Sequence, residues 1–512
     1  MTIFADSFRS DTSKDSLNPL FTLKTENVFV QNLDFKLINE NNQNPLKFSA
    51  SNVGGNLEEM AIVGADFSAK ARGLYFKTNQ GIQVTNLTTN YRYGLNAMYL
   101  NNMRLETENS NLIGDLLFKY KTGGLADFSD AVNIEANFKE SKVKILDLKK
   151  FYKELNGGDV VSFSGKLNGN LNDFDLKKLI LTTEKGIHLN GDLSFKNAVN
   201  SERGFIFNSD LNNLTATYKE LRGILPNVLG KILPSELDKL GQFDLQGKVQ
   251  LTTSFIEANV QVKSQIGTFI SDLKITEISA IDTASYSGDI QLESFDIGVL
   301  FNNPLFGEIF LKGQVNGRGF KLENINTKFI GNIAEFNFNG YQYKNIIANG
   351  QYQNNKFDGG LVIDDANFKM KFDGLADMSE TVHKFDFKSD ISYLNLKKTN
   401  LFKRDSISIV KGAMTLDIKG NALNDILGKA VFKNVLYTNQ EKEYRFKEFM
   451  VSSSLKDSIK TIDIASNDIV QGYIRGKFSF SELLKVAQNA LGSIYTNYQP
   501  YEVASNQFLD FN

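Results

Sequence analysis

Residues 179–196 read LILTTEKGIHLNGDLSFK, and this stretch decides the fold. In its second half every second residue is apolar or small, and the residues between them are polar. The apolar or small series is Ile187, Leu189, Gly191, Leu193 and Phe195. Successive side chains of a β-strand point to opposite faces, whereas a helix would repeat every 3.6 residues. The stretch therefore predicts a strand with one apolar face and one wet face.

The same alternation recurs in many other parts of the chain. It is clearest in residues 112–120, 161–171, 243–251 and 311–319. The chain has 6 prolines among 512 residues, which fits because proline is excluded from the interior of sheets. The sequence therefore predicts a mainly all-β protein of long antiparallel strands. At about 11 residues per strand and turn, it would contain on the order of 45 strands.

Internal repeats support one extended sheet. Residues 103–119 (MRLETENSNLIGDLLFK) resemble residues 179–196, and both contain Leu-x-Gly-Asp-Leu-x-Phe-Lys. The copies recur irregularly, as expected for a stacked, quasi-one-dimensional structure. No linker rich in proline, glycine or charge interrupts the chain. We therefore expect one continuous elongated structure over residues 1–512 rather than separate globular domains.

Four segments carry short helical patterns. They lie near residues 148–155, 218–240, 300–306 and 481–495. In the second, Pro226 and Pro234 are expected to break the helix, and Ser235 to begin a new one. In the fourth, Leu484, Leu491 and Ile494 belong to one apolar stripe. We expect each stripe to pack on the sheet, with a membrane surface or a partner as the alternative.

Composition excludes several classes of function. The chain has no cysteine, two histidines and a net charge of −2, which argues against thiolate sites, disulfides and nucleic-acid binding. His188 and His383 are far apart, and His188 occupies a polar strand position. The pair Asp364 and Asp365 follows an apolar run and predicts a turn rather than a cation site. The sequence therefore predicts a protein that is not an enzyme and has no catalytic residues, metal site or cofactor.

A repeated apolar face must be covered so that it is removed from water. The cover can be a second sheet, the same sheet curled on itself, or a hydrophobic ligand. Glycines recur on the apolar side of the strands, among them Gly165, Gly191 and Gly247. Glycine in a strand marks a bend or a close approach to the backbone. This favours a twisted, curled sheet with an open hydrophobic groove, although glycine can also serve curvature alone.

The spacing of leucine and glycine in residues 179–191 resembles the AsmA-like superfamily. Residues 295–319 (FDIGVLFNNPLFGEIFLKGQVNGRG) are similar to its pattern of a helical turn leading into glycine-spaced strands. Residues 218–240 and 341–365 are most similar to the TamB (translocation and assembly module) proteins of Bacteroidota. The resemblance implies a periplasmic β-groove that carries phospholipids between the inner and outer membranes. It also implies an Omp85-type outer-membrane barrel as partner, and an inner-membrane anchor. Neither the anchor nor the C-terminal domain that meets the barrel is recognisable here, so we expect a fragment or a split protein.

On that reading, an inward-facing set of side chains would contact acyl chains. The set is Leu112, Leu116, Phe118, Phe163, Leu167, Leu179, Leu181, Leu189, Leu193, Phe195, Phe243, Leu245, Val249 and Leu311. Two alternatives stay open. One is a scaffold whose strand edges accept nascent outer-membrane proteins. The other is a filled β-solenoid that acts as a structural protein or adhesin.

Overall fold

The structure is a computed structural model. It describes residues 21–38, 46–79, 81–121, 128–150, 152, 155–200, 203–224, 229–402, 405–422, 424–466, 468, 470–494, 497, 499–503 and 508–512.

Strands dominate the described residues. They are β1 (Thr22–Ile38), β2 (Leu46–Val63), β3 (Asp66–Thr78), β4 (Gln83–Tyr93), β5 (Ala97–Thr107), β6 (Asn111–Lys119), β7 (Asn133–Lys144), β8 (Val160–Gly169), β9 (Phe174–Thr183), β10 (His188–Lys196), β11 (Ile206–Thr217), β12 (Gln242–Thr252), β13 (Phe255–Ser264), β14 (Gly267–Thr276), β15 (Ser285–Asp296), β16 (Phe306–Arg318), β17 (Asn326–Phe338), β18 (Tyr341–Gln353), β19 (Lys356–Asp364), β20 (Phe368–Asp377), β21 (Lys384–Asn395), β22 (Ser408–Lys419), β23 (Leu427–Asn439), β24 (Glu443–Lys456), β25 (Ile459–Ala465), β26 (Gln471–Lys477) and β27 (Phe508–Phe511).

All of these strands belong to one 27-stranded sheet, in which the pairs are antiparallel and join strands adjacent in the chain. Among the described strands, β1 pairs only with β2 and β27 only with β26, so the sheet is open. The prediction of a mainly β fold with long antiparallel strands is confirmed. The expectation of about 45 strands is too high because the strands are long: β1 has 17 residues and β2 has 18.

Contacts group the chain into two compact units. The first comprises the described residues up to Gln265 together with Lys274–Ile281, and the second comprises Ile266–Leu273 and the described residues from Asp282 onward. Each unit is described by itself below. That the two form one continuous groove stays a prediction.

Short helices interrupt the sheet at its turns. They are α1 (Phe128–Ala131), α2 (Ile145–Leu148), α3 (Tyr218–Ile224), α4 (Leu229–Ile232), α5 (Ile297–Phe301), α6 (Leu483–Gly492) and two 3₁₀ segments, Ser235–Leu240 and Ile278–Thr283. Each of the four predicted helical segments overlaps one or more of these. Residues 151, 153, 154, 225–228 and 495 of those segments, Pro226 included, lie outside the described residues.

Local sequence explains where these helices begin. Before α3, Thr217 and Glu220 form a capping box: the Thr217 N–H donates to Glu220 Oε2 at 2.8 Å, and the Glu220 N–H donates to Thr217 Oγ1 at 3.3 Å. Before α5, Asp296 Oδ1 accepts the Val299 N–H at 3.0 Å. A new 3₁₀ segment begins at Ser235, directly after Pro234, as predicted.

The apolar stripe of α6 departs from expectation. Leu484, Leu491 and Ile494 are 70%, 65% and 78% exposed. The expectation that this stripe packs on the sheet is therefore wrong for these three side chains. Helix α2 behaves as expected, because Ile145 is 1% exposed and packs against the sheet residues Val143 and Val161.

Candidate functional site

The strand register of the first unit brings the predicted lining residues together on one face. Along one row, Phe163 is opposite Leu181, and Leu181 is opposite Leu189. The row continues through Leu214 to Leu245. Residues directly opposite each other in antiparallel strands lie on the same face. All predicted lining residues except Leu311 share this face of β6, β8, β9, β10 and β12, which we call the apolar face.

Burial divides the predicted residues into two groups. Leu179, Leu193 and Phe243 are buried, at 3%, 8% and 6% exposed. The others are half-buried, and none is exposed. The buried three are packing residues, whereas the half-buried ones keep surface that a second molecule could contact. The register thus supports the shared face, and contact with acyl chains stays a prediction.

Several residues of the apolar face were missed by sequence reasoning. They are Leu176 on β9, and Phe207, Leu211 and Leu214 on β11. The alternation changes phase within both strands, because Leu176 and Leu179 share a face although they are three residues apart, as do Leu211 and Leu214. A β-bulge lies between the members of each pair and causes the shift. The signal in the sequence is an apolar series that restarts after three residues instead of two.

The second unit contains a similar apolar row, which includes Leu311. Leu311 is opposite Leu292 on one side and Ile333 on the other. The row continues through Ile346 and Ile363, which are 7% and 8% exposed. Leu311 therefore lies on an apolar row of its own unit.

The opposite face of the first unit, which we call the wet face, is polar and exposed to solvent. Lys177 and Asp192 form an ion pair at 3.3 Å, and Lys248 and Asp210 form another at 3.5 Å. His188 is exposed on this face, as predicted. Such exposed pairs add little stability, but they favour solvent over a hydrophobic partner. Of the two faces of β6–β12, the apolar face is therefore the one that a hydrophobic partner would contact.

The glycines of the apolar face allow adjacent backbones to approach closely. A Cβ on Gly191 would lie 2.5 Å from the Asp210 carbonyl oxygen, and one on Gly247 would lie 2.2 Å from the Asn259 oxygen. Gly114 meets the Asn137 oxygen at 2.2 Å in the same way. The neighbouring strand is therefore the group that approaches these glycines.

Other candidate sites are polar. A cleft of about 650 Å³ in the first unit is lined mainly by polar side chains, including Asn111, Ser162 and Thr182 from the wet face. The Asp364–Asp365 pair closes a turn: β19 ends at Asp364, and Asp365 accepts hydrogen bonds from the Tyr341 hydroxyl at 2.5 Å and the Asn367 N–H at 2.7 Å. Within the described ranges, no group of three His, Cys, Asp or Glu residues is placed to hold a metal ion.

In the described part of the chain, every helix is too short or too polar to cross a membrane. Comparison with known proteins finds no matching family model, no matching curated protein and no matching solved structure.

Proposed function

We propose that the protein is a lipid-transfer conduit in which acyl chains of phospholipids travel along the apolar face while their headgroups stay in water. From the resemblance to AsmA-like and TamB sequences we infer that this activity takes place in the periplasm, between the inner and outer membranes. In this proposal the protein acts by binding and guiding lipid rather than by catalysis.

One observation carries the proposal: the apolar face is continuous in register from β6 to β12, and most of its side chains are half-buried. The cluster around Leu179, Leu193 and Leu211 consists of residues from β8–β12, all on this face. These side chains thus bury one another and still leave apolar surface.

A continuous face is what lipid movement requires. Exposing one CH₂ group to water costs about 0.8 kcal/mol, so a chain of about 16 carbons would cost on the order of 12 kcal/mol if it crossed a wet gap. Neighbouring strands are about 4.8 Å apart, so each step along the face replaces one set of apolar contacts by the next. No single step then exposes a whole chain.

The test introduces charge into the face at half-buried positions. The triple variant Leu167→Asp, Leu189→Asp, Leu245→Asp is compared with the matched variant in which the same three leucines become methionine. We expect the Asp variant to lose phospholipid binding in native mass spectrometry and transfer between vesicles, because each carboxylate must stay hydrated. The Met variant is expected to keep both activities. Unchanged lipid binding in a folded Asp variant would overturn the proposal.

A second function is favoured by one observation at β1. This strand is at an edge among the described strands, and its Phe29 side chain is 81% exposed. A long edge strand with exposed apolar residues is a template for added strands. We therefore keep as second candidate a scaffold that accepts nascent outer-membrane strands by β-augmentation. A crosslinking assay with an unfolded outer-membrane protein tests it, because crosslinks confined to β1 would support the scaffold.

A further inference from the structure

The polar cleft of the first unit lies on the wet face, across the strands β5 to β9. The strand register places one side chain from each of these strands in a single row, which we call the floor row. In chain order the floor row is Glu106, Asn111, Lys142, Ser162 and Thr182, and all five line the cleft. Because neighbouring strands are about 4.8 Å apart, the row offers a polar group at every step over roughly 20 Å.

Two turns complete the lining of the cleft, and both are fixed by hydrogen bonds within the protein. In the turn between β5 and β6, the Ser110 hydroxyl donates to Asp147 Oδ2 at 2.7 Å. In the turn after β9, Thr183 Oγ1 accepts the Ile187 N–H at 3.1 Å. The sides of the cleft are therefore formed before any ligand binds.

The floor row differs from these turns because most of its polar groups are not used by the protein. Within the part of the chain that the structure describes, the side chains of four members form no hydrogen bond or ion pair: Asn111, Lys142, Ser162 and Thr182. Elsewhere on the wet face, lysines such as Lys177 and Lys248 are paired with aspartates. Asn111 Oδ1 is also shielded from water, and a shielded acceptor without a donor is costly. This amide is therefore favoured to turn toward a donor in the cleft.

The fifth member of the floor row, Glu106, is a fixed acceptor. Its carboxylate accepts from Asn86 Nδ2 at 3.0 Å and from Arg104 Nε at 2.7 Å. The Asn86 hydrogen bond, followed by that of Arg104, holds the pKa of Glu106 below its ordinary value of 4.5, so the group stays ionised. Lys142 supplies donors only, and the two hydroxyls of the row both donate and accept. A complementary ligand therefore carries donors and acceptors along its whole length.

The charge and polarity of the cleft exclude several kinds of ligand. Three glutamates, Glu106, Glu108 and Glu184, line it beside one lysine, Lys142, so phosphate-rich ligands such as nucleic acids are repelled. Val160 is the one apolar residue among the described residues that line it, so the cleft has no pocket for the apolar side chains of a peptide. A neutral sugar chain fits better, because each ring carries hydroxyl groups that both donate and accept.

We propose that this cleft binds a neutral linear oligosaccharide, which lies across β5 to β9 with its hydroxyl groups on the floor row. Glu106 accepts from a sugar hydroxyl, Lys142 donates to a sugar oxygen, and the Ser162 and Thr182 hydroxyls do both. Because the site is open and each contact replaces one with water, we expect a Kd on the order of 1 mM. The cleft lies on the face opposite the apolar face, so this inference goes beyond lipid transfer and does not depend on it.

The first test removes hydroxyl groups from the floor row of the full chain. The probes are the linear tetramer of N-acetylglucosamine and maltotetraose, and ligand-observed saturation-transfer NMR measures their Kd. Ser162→Ala with Thr182→Val should weaken binding at least about fivefold, because two hydrogen bonds are lost. The matched control, Ser164→Ala with Ser194→Ala, removes two hydroxyls of the wet face outside the cleft and should bind as the wild type does.

The second test locates the bound sugar. The chain has no cysteine, so Glu108→Cys supplies a single exposed thiol in the lining of the cleft. At a probe concentration of about twice the Kd of that variant, labelling with a maleimide should slow about threefold, because about two thirds of the sites are occupied. Labelling of Ser194→Cys, outside the cleft, should proceed at the same rate with and without the sugar.

Each outcome decides the proposal. Failure of both sugars to bind at about twenty times the expected Kd overturns it. Equal affinity of the wild type and the Ser162→Ala, Thr182→Val variant, or equal labelling of Glu108→Cys with and without sugar, overturns the site. A tetraserine peptide that binds as tightly as the sugars overturns the ligand class. The labelling test leaves the floor row intact, so it decides the question even if the double variant fails to fold.

Discussion

The backbone N–H of Lys178 donates a hydrogen bond to Oδ1 of Asp192 at 2.8 Å, and Lys178 has a left-handed φ of 52°. Lys178 lies in a β-bulge of β9, where two residues face the single residue Asp192 of β10. A lysine in this conformation costs about 1–2 kcal/mol, which the hydrogen bond to a carboxylate offsets.

The same arrangement explains the internal repeat. Asn102, with a φ of 51°, lies in a bulge of β5 and donates its N–H to Asp115 Oδ1 at 2.8 Å. Asp115 and Asp192 are the aspartates of the two Leu-x-Gly-Asp copies, and the glycine before each allows the strand on the other side, β7 or β11, to approach. The repeat therefore encodes a β-bulge together with an aspartate that accepts the hydrogen bond of the bulge residue. We call the contact between Lys178 and Asp192 the clasp.

We predict that Asp192→Ala destabilises the protein by about 1 kcal/mol, because the strained Lys178 backbone loses its acceptor. The urea midpoint of the full chain measures the loss. Asp210→Ala is the control, since the described polar contact of the Asp210 side chain is an exposed ion pair with Lys248, and its effect should stay within about 0.5 kcal/mol. Equal effects of the two substitutions would contradict the clasp.

The clasp should also depend on pH. The Lys178 N–H, followed by Lys177, holds the pKa of Asp192 below its ordinary value of 3.8. A carboxylate with a lowered folded-state pKa contributes stability above its unfolded pKa and loses it as pH falls through the folded value. The difference between wild type and Asp192→Ala should therefore be complete at pH 7 and shrink below about pH 4. A difference that is constant from pH 7 to pH 2 would refute this.

Close approach at Gly191 predicts a penalty for any side chain there. A Cβ would lie 2.5 Å from the Asp210 carbonyl oxygen, so Gly191→Ala should cost about 1–3 kcal/mol. The comparison is Gly223→Ala in α3, where no atom lies within 4 Å of the new methyl group and alanine favours the helix. Thermal unfolding should show a lower Tm for the first variant and an equal or higher Tm for the second.

Burial separates strand positions that tolerate a charged side chain from positions that do not. Leu179 is 3% exposed, so Leu179→Asp should cost several kcal/mol and unfold much of the first unit. Ile180, next to it on the wet face and 47% exposed, should accept Ile180→Asp with little change. Circular dichroism after mild heating distinguishes the two, and an intact Leu179→Asp protein would show that the face is not packed as described.

The edge strand β1 gives a prediction for association. Phe29→Lys places a charge on the edge and should suppress concentration-dependent self-association in analytical ultracentrifugation. Lipid transfer should be unaffected, because this substitution leaves β6–β12 intact. A parallel loss of transfer would connect β1 to the conduit instead.

Sequence alone predicts the fold class and the faces of individual strands, because alternation reports directly which side chains share a face. It does not predict where that alternation changes phase. Leu176 and Leu214 were missed because the bulge residues of β9 and β11 look like ordinary polar strand positions. The contact of Tyr152 with Leu171 was missed for a different reason: it depends on how the ends of β8 lie in space, which no local pattern encodes.

The pairing of each described strand with its neighbours in the chain bears on how the protein is made. Contacts close in sequence form quickly, because little chain entropy is lost before each new contact is gained. A polypeptide that emerges progressively from its N-terminal end can therefore add one hairpin after another without waiting for a distant segment. Assembly would be vectorial, and each finished strand would offer its edge to the next and so limit the time for which any edge stays unpaired.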